Sequence, residues 1–273
     1  MASTFETKAT ITTFGGKLLK LSHKSNATQT PMDVNLYLPP ASNDRKVPIL
    51  IFLSGLTCTP NNCSEKGFFH AAASKAGLAK DSWDFGEGAG FYVNATAEPW
   101  KKHYNMESYV TKELPGAVFG AFGDKLDSSR VSITGHSMGG HGALTLFLKN
   151  PGKYRSVSAL APICNPSQCP WGEKAFGGYF GGEDKSLWVG SDATELVRSQ
   201  LQSGAKLPCL IDVGTGDNFY NQKQLLPENF EKAVKETGVE GVEVRYQPDY
   251  DHSYFFISSF AEDHVQHAAK YLL

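Results

Sequence analysis

Val131–Ala143 reads VSITGHSMGGHGA. Within it, Gly135-His136-Ser137-Met138-Gly139 fits the pattern G-x-S-x-G. Four β-favouring residues, Val131–Thr134, precede the pattern, and an apolar helical run (Ala143, Leu144, Leu146, Phe147, Leu148) follows it. Strand, sharp turn, helix is the context in which a nucleophile elbow forms. The turn is too tight for large neighbours, so Gly135, Gly139 and Gly140 remove side chains where the two backbones crowd. Such a turn predicts that the Ser137 hydroxyl stands above a sheet. It also predicts that the Met138 N–H, at the positive end of a helix, serves as an oxyanion donor. The competing reading is a Gly/Ser turn that only joins a strand to a helix.

Outward from this stretch, the chain predicts an α/β sheet. Val47–Leu53, VPILIFL, is a continuous apolar run, as expected of a strand covered on both faces. It ends in the small-residue loop Ser54–Thr59, at the strand end where open α/β sheets carry ligands. Ser156–Ala161 and Leu207–Val213 read as further buried strands, and Val242–Gln247 as a last, alternating one. Thr10–Thr13, Leu18–Ser22 and Met32–Leu38 predict an antiparallel start around the Gly15-Gly16 turn. Helices are predicted over Ser64–Gly77 with Ser64 as N-cap, Met106–Gly120, Thr194–Gln202, Leu225–Thr237 and Ser258–Leu272. No linker or repeat divides the chain, so residues 1–273 predict a single α/β-hydrolase domain. Its central sheet is mostly parallel, its N-terminal strands are antiparallel, and helices lie on both faces.

One step is out of pattern. The helix ending near Gly77 should cross over to a parallel strand, yet polar Lys80-Asp81-Ser82-Trp83-Asp84 follows almost at once. No apolar strand-like run appears before the short Phe91–Val93. The sheet is therefore expected to lack one central strand after Ala79. The alternative to a working enzyme is a chain impaired by that gap.

Serine needs a base to take its proton and a carboxylate to orient the base. In this fold the acid and the histidine follow the serine, at the ends of late strands. Asp217 lies four residues past Val213, and His252 five past Gln247 in PDYDHSYFF. Ser137, Asp217 and His252 are the predicted triad. Asp217 as a mere turn cap and His252 as an ordinary loop histidine compete with this. Asp249 or Asp251 could also reach the histidine's loop. Asp212 lies inside a strand, and His264 and His267 fall on the closing helix, where surface or capping roles are expected. Leu56 is the candidate for the second oxyanion N–H, because Gly55 lets that backbone come close to a substrate.

Net charge is −2 over 273 residues, which implies no polyanionic partner and no nucleic acid. No run of about eighteen apolar residues predicts a membrane span. The polar start MASTFETKAT lacks a signal-peptide core. Five cysteines, an odd number without C-x-x-C spacing, fit a reducing, cytoplasmic setting rather than a disulfide framework or a metal site. The glycine loop Gly86–Gly90 lacks the spacing and flanks of a nucleotide fingerprint, so no cofactor is predicted.

SGLTCT with Asn62 and Lys66, SWDFG, GAGFY, HSMGGHGA, NPSQCPWGEKAFGGYFG and DHSYFF together resemble the S-formylglutathione hydrolase (esterase D) family over essentially the whole chain. The resemblance implies hydrolysis of the small-molecule thioester S-formylglutathione to glutathione and formate in formaldehyde breakdown. It also implies side activity on small carboxylic esters, the triad and oxyanion residues named above, a cytosolic setting and a homodimer. It puts Trp171 at the substrate pocket. Cys58 and Lys66, with Lys174, are further substrate-contact candidates, against the plainer readings of a small buried thiol and surface lysines. A broad carboxylesterase is the alternative activity.

Overall fold

The computed structural model describes residues 4–83, 89–181 and 185–273, with only the main chain at 80–83. Residues 86–88 of the predicted Gly86–Gly90 loop lie outside the described residues. The strands are β1 (Glu6–Thr13), β2 (Gly16–Lys24), β3 (Pro31–Leu38), β4 (Val47–Leu53), β5 (Ala79–Trp83), β6 (Leu126–His136), β7 (Val157–Leu160), β8 (Lys206–Gly214) and β9 (Glu240–Gln247). The α-helices are α1 (Phe69–Ala76), α2 (Met106–Ser108), α3 (Leu114–Phe122), α4 (Met138–Lys149), α5 (Pro170–Phe180), α6 (Ser186–Val189), α7 (Ala193–Gln200), α8 (Asn218–Asn221), α9 (Pro227–Thr237) and α10 (Tyr254–Leu272).

All nine strands form one sheet in the order β1-β2-β3-β5-β4-β6-β7-β8-β9. The pairings from β1 to β5 are antiparallel, and those from β5 through β4 to β9 are parallel. Every residue of β4 is buried, as its unbroken apolar run requires. Helices α1 and α10 pack together as one group, while α4, α7 and α9 pack in series as another.

The expected vacancy after Ala79 is not found. β5 fills it, pairing antiparallel with β3 from Val34↔Trp83 to Tyr37↔Lys80 and parallel with β4 from Ile49↔Ala79 to Leu53↔Trp83. A ladder is made of main-chain groups, so a polar segment held between two strands can form it. Leaving those groups unpaired costs roughly 1–3 kcal/mol each. The impaired-chain alternative rested on the vacancy and loses its premise.

One helix prediction and one strand-like stretch also need correction. The stretch expected as one helix from Ser64 is a π-turn over Asn62–Lys66 followed by α1, with Phe68 between them at φ 55°. Ser64 does not cap it; its hydroxyl instead joins Asn35, which donates to Ser64 Oγ at 2.9 Å. Phe91–Val93 forms a turn rather than a strand, with Phe91 and Tyr92 in the left-handed region.

Candidate active site

Strands β6, β8 and β9 run parallel, so their carboxyl ends open on one edge of the sheet. That edge carries Ser137, Asp217 and His252. Ser137 sits between β6 and α4 at φ 58°, ψ −120°, a conformation costing on the order of 1–3 kcal/mol and retained where surrounding structure enforces it. The enforcement is visible in the glycines. A Cβ on Gly135 would lie 2.2 Å from the Gly139 carbonyl oxygen, and one on Gly139 would lie 2.0 Å from the Leu53 carbonyl oxygen. Strand, elbow and helix are thus in backbone contact. The Ser137 N–H donates to Leu160 O at 2.9 Å, tying the elbow to β7. Met138 opens α4, so its N–H belongs to the first turn and has no intrahelical acceptor.

Asp217 is fully buried. Its Oδ1 accepts from the N–H groups of Phe219 (2.7 Å) and Tyr220 (3.3 Å), capping α8, while Oδ2 lies 2.5 Å from His252 Nδ1. Capping and the histidine contact therefore coexist on one carboxylate. Asp251, the sequence neighbour that competed for this role, instead accepts from the N–H and hydroxyl of Ser253 (2.9 and 2.7 Å). The His252 ring is held on two sides, with Phe219 at 4.8 Å and His136, the residue preceding Ser137, at 4.5 Å between centroids. Asp217, His252 and the elbow are thus brought together.

Asp212 is fully buried as well, but its acceptor positions are occupied. Arg245 grips both oxygens (2.9 and 2.5 Å), Gln247 donates at 2.6 Å, and His264 Nε2 lies 3.0 Å away. Burial alone would raise its pKa. The hydrogen bonds from His264, Arg245 and Gln247 outweigh that and hold it at about 2. His264 was expected at the surface; it is fully buried in this cluster. Nothing in a single helical histidine announces a partner on β8.

The Ser54–Thr59 loop lies over the elbow. A Cβ on Gly55 would come within 3.2 Å of His136 Nδ1 and 3.3 Å of Ser137 Cβ, so a side chain here would require the elbow to give by a few tenths of an ångström. The Tyr92 hydroxyl donates to Ser54 O at 2.9 Å and holds the loop; read from sequence alone, Tyr92, the last residue of GAGFY, carries no such role. Leu56 opens onto a cavity of about 320 Å³ that Phe91, Trp100, Trp171, Lys174 and Tyr179 also line. The Trp171 ring lies 4.7 Å from that of Phe219, which links this cavity to His252. Cys58, half-buried and in no disulfide, lies in the same loop. Lys66 does not reach this cavity; it borders a separate groove with Ser253 and Tyr254. Among the described residues no cluster of His, Cys, Asp and Glu is arranged to hold a metal.

Two histidines near the elbow are buried without counter-charge. Burial, with a smaller contribution from His252, pushes the His136 pKa well below its usual value. His141 Nε2 lies 3.0 Å from Phe91 O, and burial brings its pKa down to about 4. The unfolded chain takes up a proton near pH 6.5 that folded His141 refuses until about pH 4. Its contribution is therefore whole above pH 6.5 and is lost as pH falls toward 4, by on the order of 3 kcal/mol. Urea unfolding at pH 7.5, 5.5 and 4.5 is expected to show this decline, and a His141→Leu variant should show a shallower one whatever its absolute stability. An unchanged slope would assign the decline to other groups.

The elbow serine, the buried carboxylate–imidazole pair and the mostly parallel sheet define an α/β-hydrolase. A family described as putative esterases matches residues 25–267. S-formylglutathione hydrolase of Rattus norvegicus is 50% identical over 275 residues, covering 95% of each chain. That of Saccharomyces cerevisiae is 45% identical, covering 94% of this chain and 96% of its own. The solved S-formylglutathione hydrolase from Agrobacterium tumefaciens superposes with a TM-score of 0.91 at 41% identity over the whole of both chains. The chain belongs to the S-formylglutathione hydrolase family.

Proposed function

We propose that the chain hydrolyses S-formylglutathione to glutathione and formate, with Ser137 as nucleophile, His252 as base and Asp217 as the group that orients it. The observation that carries this reading is the 2.5 Å contact of buried Asp217 with His252 Nδ1, on a ring packed against the residue preceding Ser137. His252 takes the Ser137 proton as Oγ attacks the formyl carbon. The oxyanion forms against the N–H groups of Met138 and Leu56. The carbon–sulfur bond breaks, His252 returns the proton to sulfur, and glutathione departs as a thiol. Water, activated by the same base, then releases formate from Ser137. Asp217 keeps Nδ1 protonated and so leaves Nε2 free for the serine.

A fluorophosphonate probe is expected to label Ser137, and the purified protein to release thiol from S-formylglutathione faster than it cleaves a simple acetyl ester. An unlabelled protein would be a silent hydrolase fold. Preference for the acetyl ester would make it a broad carboxylesterase, the reading favoured by the size of the cavity at Leu56, which exceeds what a formyl group fills. A single-domain chain is supported by one sheet running from Glu6 to Gln247. A reducing, cytosolic setting is supported by five cysteines, none in a disulfide and four of them buried. Among the described residues no helix is long and apolar enough to cross a membrane. Association as a homodimer rests on the family resemblance alone.

A further inference from the structure

Two grooves meet at Ser253, the residue after His252, and they differ in charge; the His252 ring lines only the first. One, of about 420 Å³, is bordered by Phe219, Gln222 and Asp251. Hydrogen bonds from Ser253 lower the Asp251 pKa and keep its carboxylate charged. The other, of about 580 Å³, runs between Lys66 and Phe68 ahead of α1 and Ser253, Tyr254 and Phe255 at the start of α10. Its charge is positive in effect. Glu65 also lines this groove, but Lys20 pairs with it at 2.8 Å, whereas Lys66 forms no ion pair among the described residues. The 19-residue α10 begins here with Ser253 as its cap, which adds the favourable field of a helix N-terminus for an anion. Two phenylalanines stand out into solvent at the groove, Phe68 at 68% and Phe255 at 83% exposure. Burying neither ring, the free protein leaves apolar surface beside a cation.

We propose that this second groove receives the thiol half of the substrate, a short peptide thiol carrying carboxylates. The proposal rests on the thioester-hydrolase reading above. His252 returns its proton to the departing sulfur, so the sulfur must leave on the His252 side. Of the two grooves there, Asp251 repels a carboxylate in one, while Lys66 and the start of α10 attract it in the other. Phe68 and Phe255 cover the apolar stem of the peptide. Tyr254, whose ring lies 6.0 Å from that of His136, joins this groove to the elbow.

The test compares the wild type with Lys66→Glu and Lys66→Arg on three substrates: S-formylglutathione, the S-formyl thioester of N-acetylcysteamine, which has no carboxylate, and p-nitrophenyl acetate. Lys66 is exposed, so reversing its charge spares the core. Lys66→Glu should raise KM for S-formylglutathione about tenfold with little change in kcat, leave the other two substrates within about twofold, and be rescued in Lys66→Arg. Unchanged KM in Lys66→Glu overturns the proposal, as does a rise confined to Lys174→Glu in the Leu56 cavity. A Phe255→Ser variant that turns the protein monomeric without altering KM also overturns it, because the aromatic pair would then be an interface between copies. A wild type that cleaves p-nitrophenyl acetate but not S-formylglutathione instead removes the underlying thioester reading.

Discussion

Ser137→Ala is expected to reduce kcat for S-formylglutathione by about 10⁴–10⁶-fold while leaving the fold intact. The size follows from the site. Asp217 is buried and bonded to His252, which rests against the residue preceding Ser137. Without the hydroxyl, that pair has no proton to take and no covalent intermediate can form. Only cavity binding and the oxyanion donors remain. The fold should tolerate the change, because alanine meets the same φ of 58° at the elbow with one atom fewer. Steady-state turnover alongside a thermal melt checks both halves. Activity within tenfold of wild type in a well-folded variant would identify another nucleophile.

Gly139→Ala should be among the most damaging small substitutions at the elbow. The added Cβ would fall 2.0 Å from Leu53 O, 2.4 Å from Leu53 C and 2.5 Å from Ser54 O. These are main-chain atoms in and just beyond a strand buried along its length, so no side chain can swing aside. Either α4 lifts from β4 or β4 shifts in its ladders. A loss of about 3–5 kcal/mol is expected, or roughly 10 °C in Tm for a chain of this size, and activity should fall with it because Ser137 and Met138 ride on the same turn. Gly116→Ala is the control. Its Cβ meets nothing within 4 Å at an exposed position of α3, and alanine is the better helix former there. Equal melting temperatures for the two variants would show that the elbow has slack not evident in its contacts.

Much of this was legible in the chain because its physics is local. An unbroken apolar run such as Val47–Leu53 can rest only where both faces are covered, and it does. The glycines around Ser137 declare a turn whose tightness they alone permit, and positions 217 and 252 lie just past strands that end on one edge. The polar segment Ala79–Trp83 carries no such sign. Its strand exists because β3 and β4 each present main-chain groups to it, which is a property of its neighbours. His264 looked like a surface residue because a helix shows its own periodicity and not what lies across the gap. Lys66 stood among the candidate substrate contacts, and the structure sets it beside the start of α10 rather than at the Leu56 cavity.

The sequence by itself determined the class of fold and the elbow, and it offered Ser137, Asp217 and His252 as candidates, since hydropathy, glycine spacing and strand ends are written along the chain. Only the tertiary structure decided which of two buried aspartates faces the imidazole beside the elbow. Arg245, Gln247 and His264 take up Asp212, leaving Asp217 to His252. The choice turns on which donors arrive from strands and helices far apart in sequence, and hydrogen bonds of that kind have no local signature.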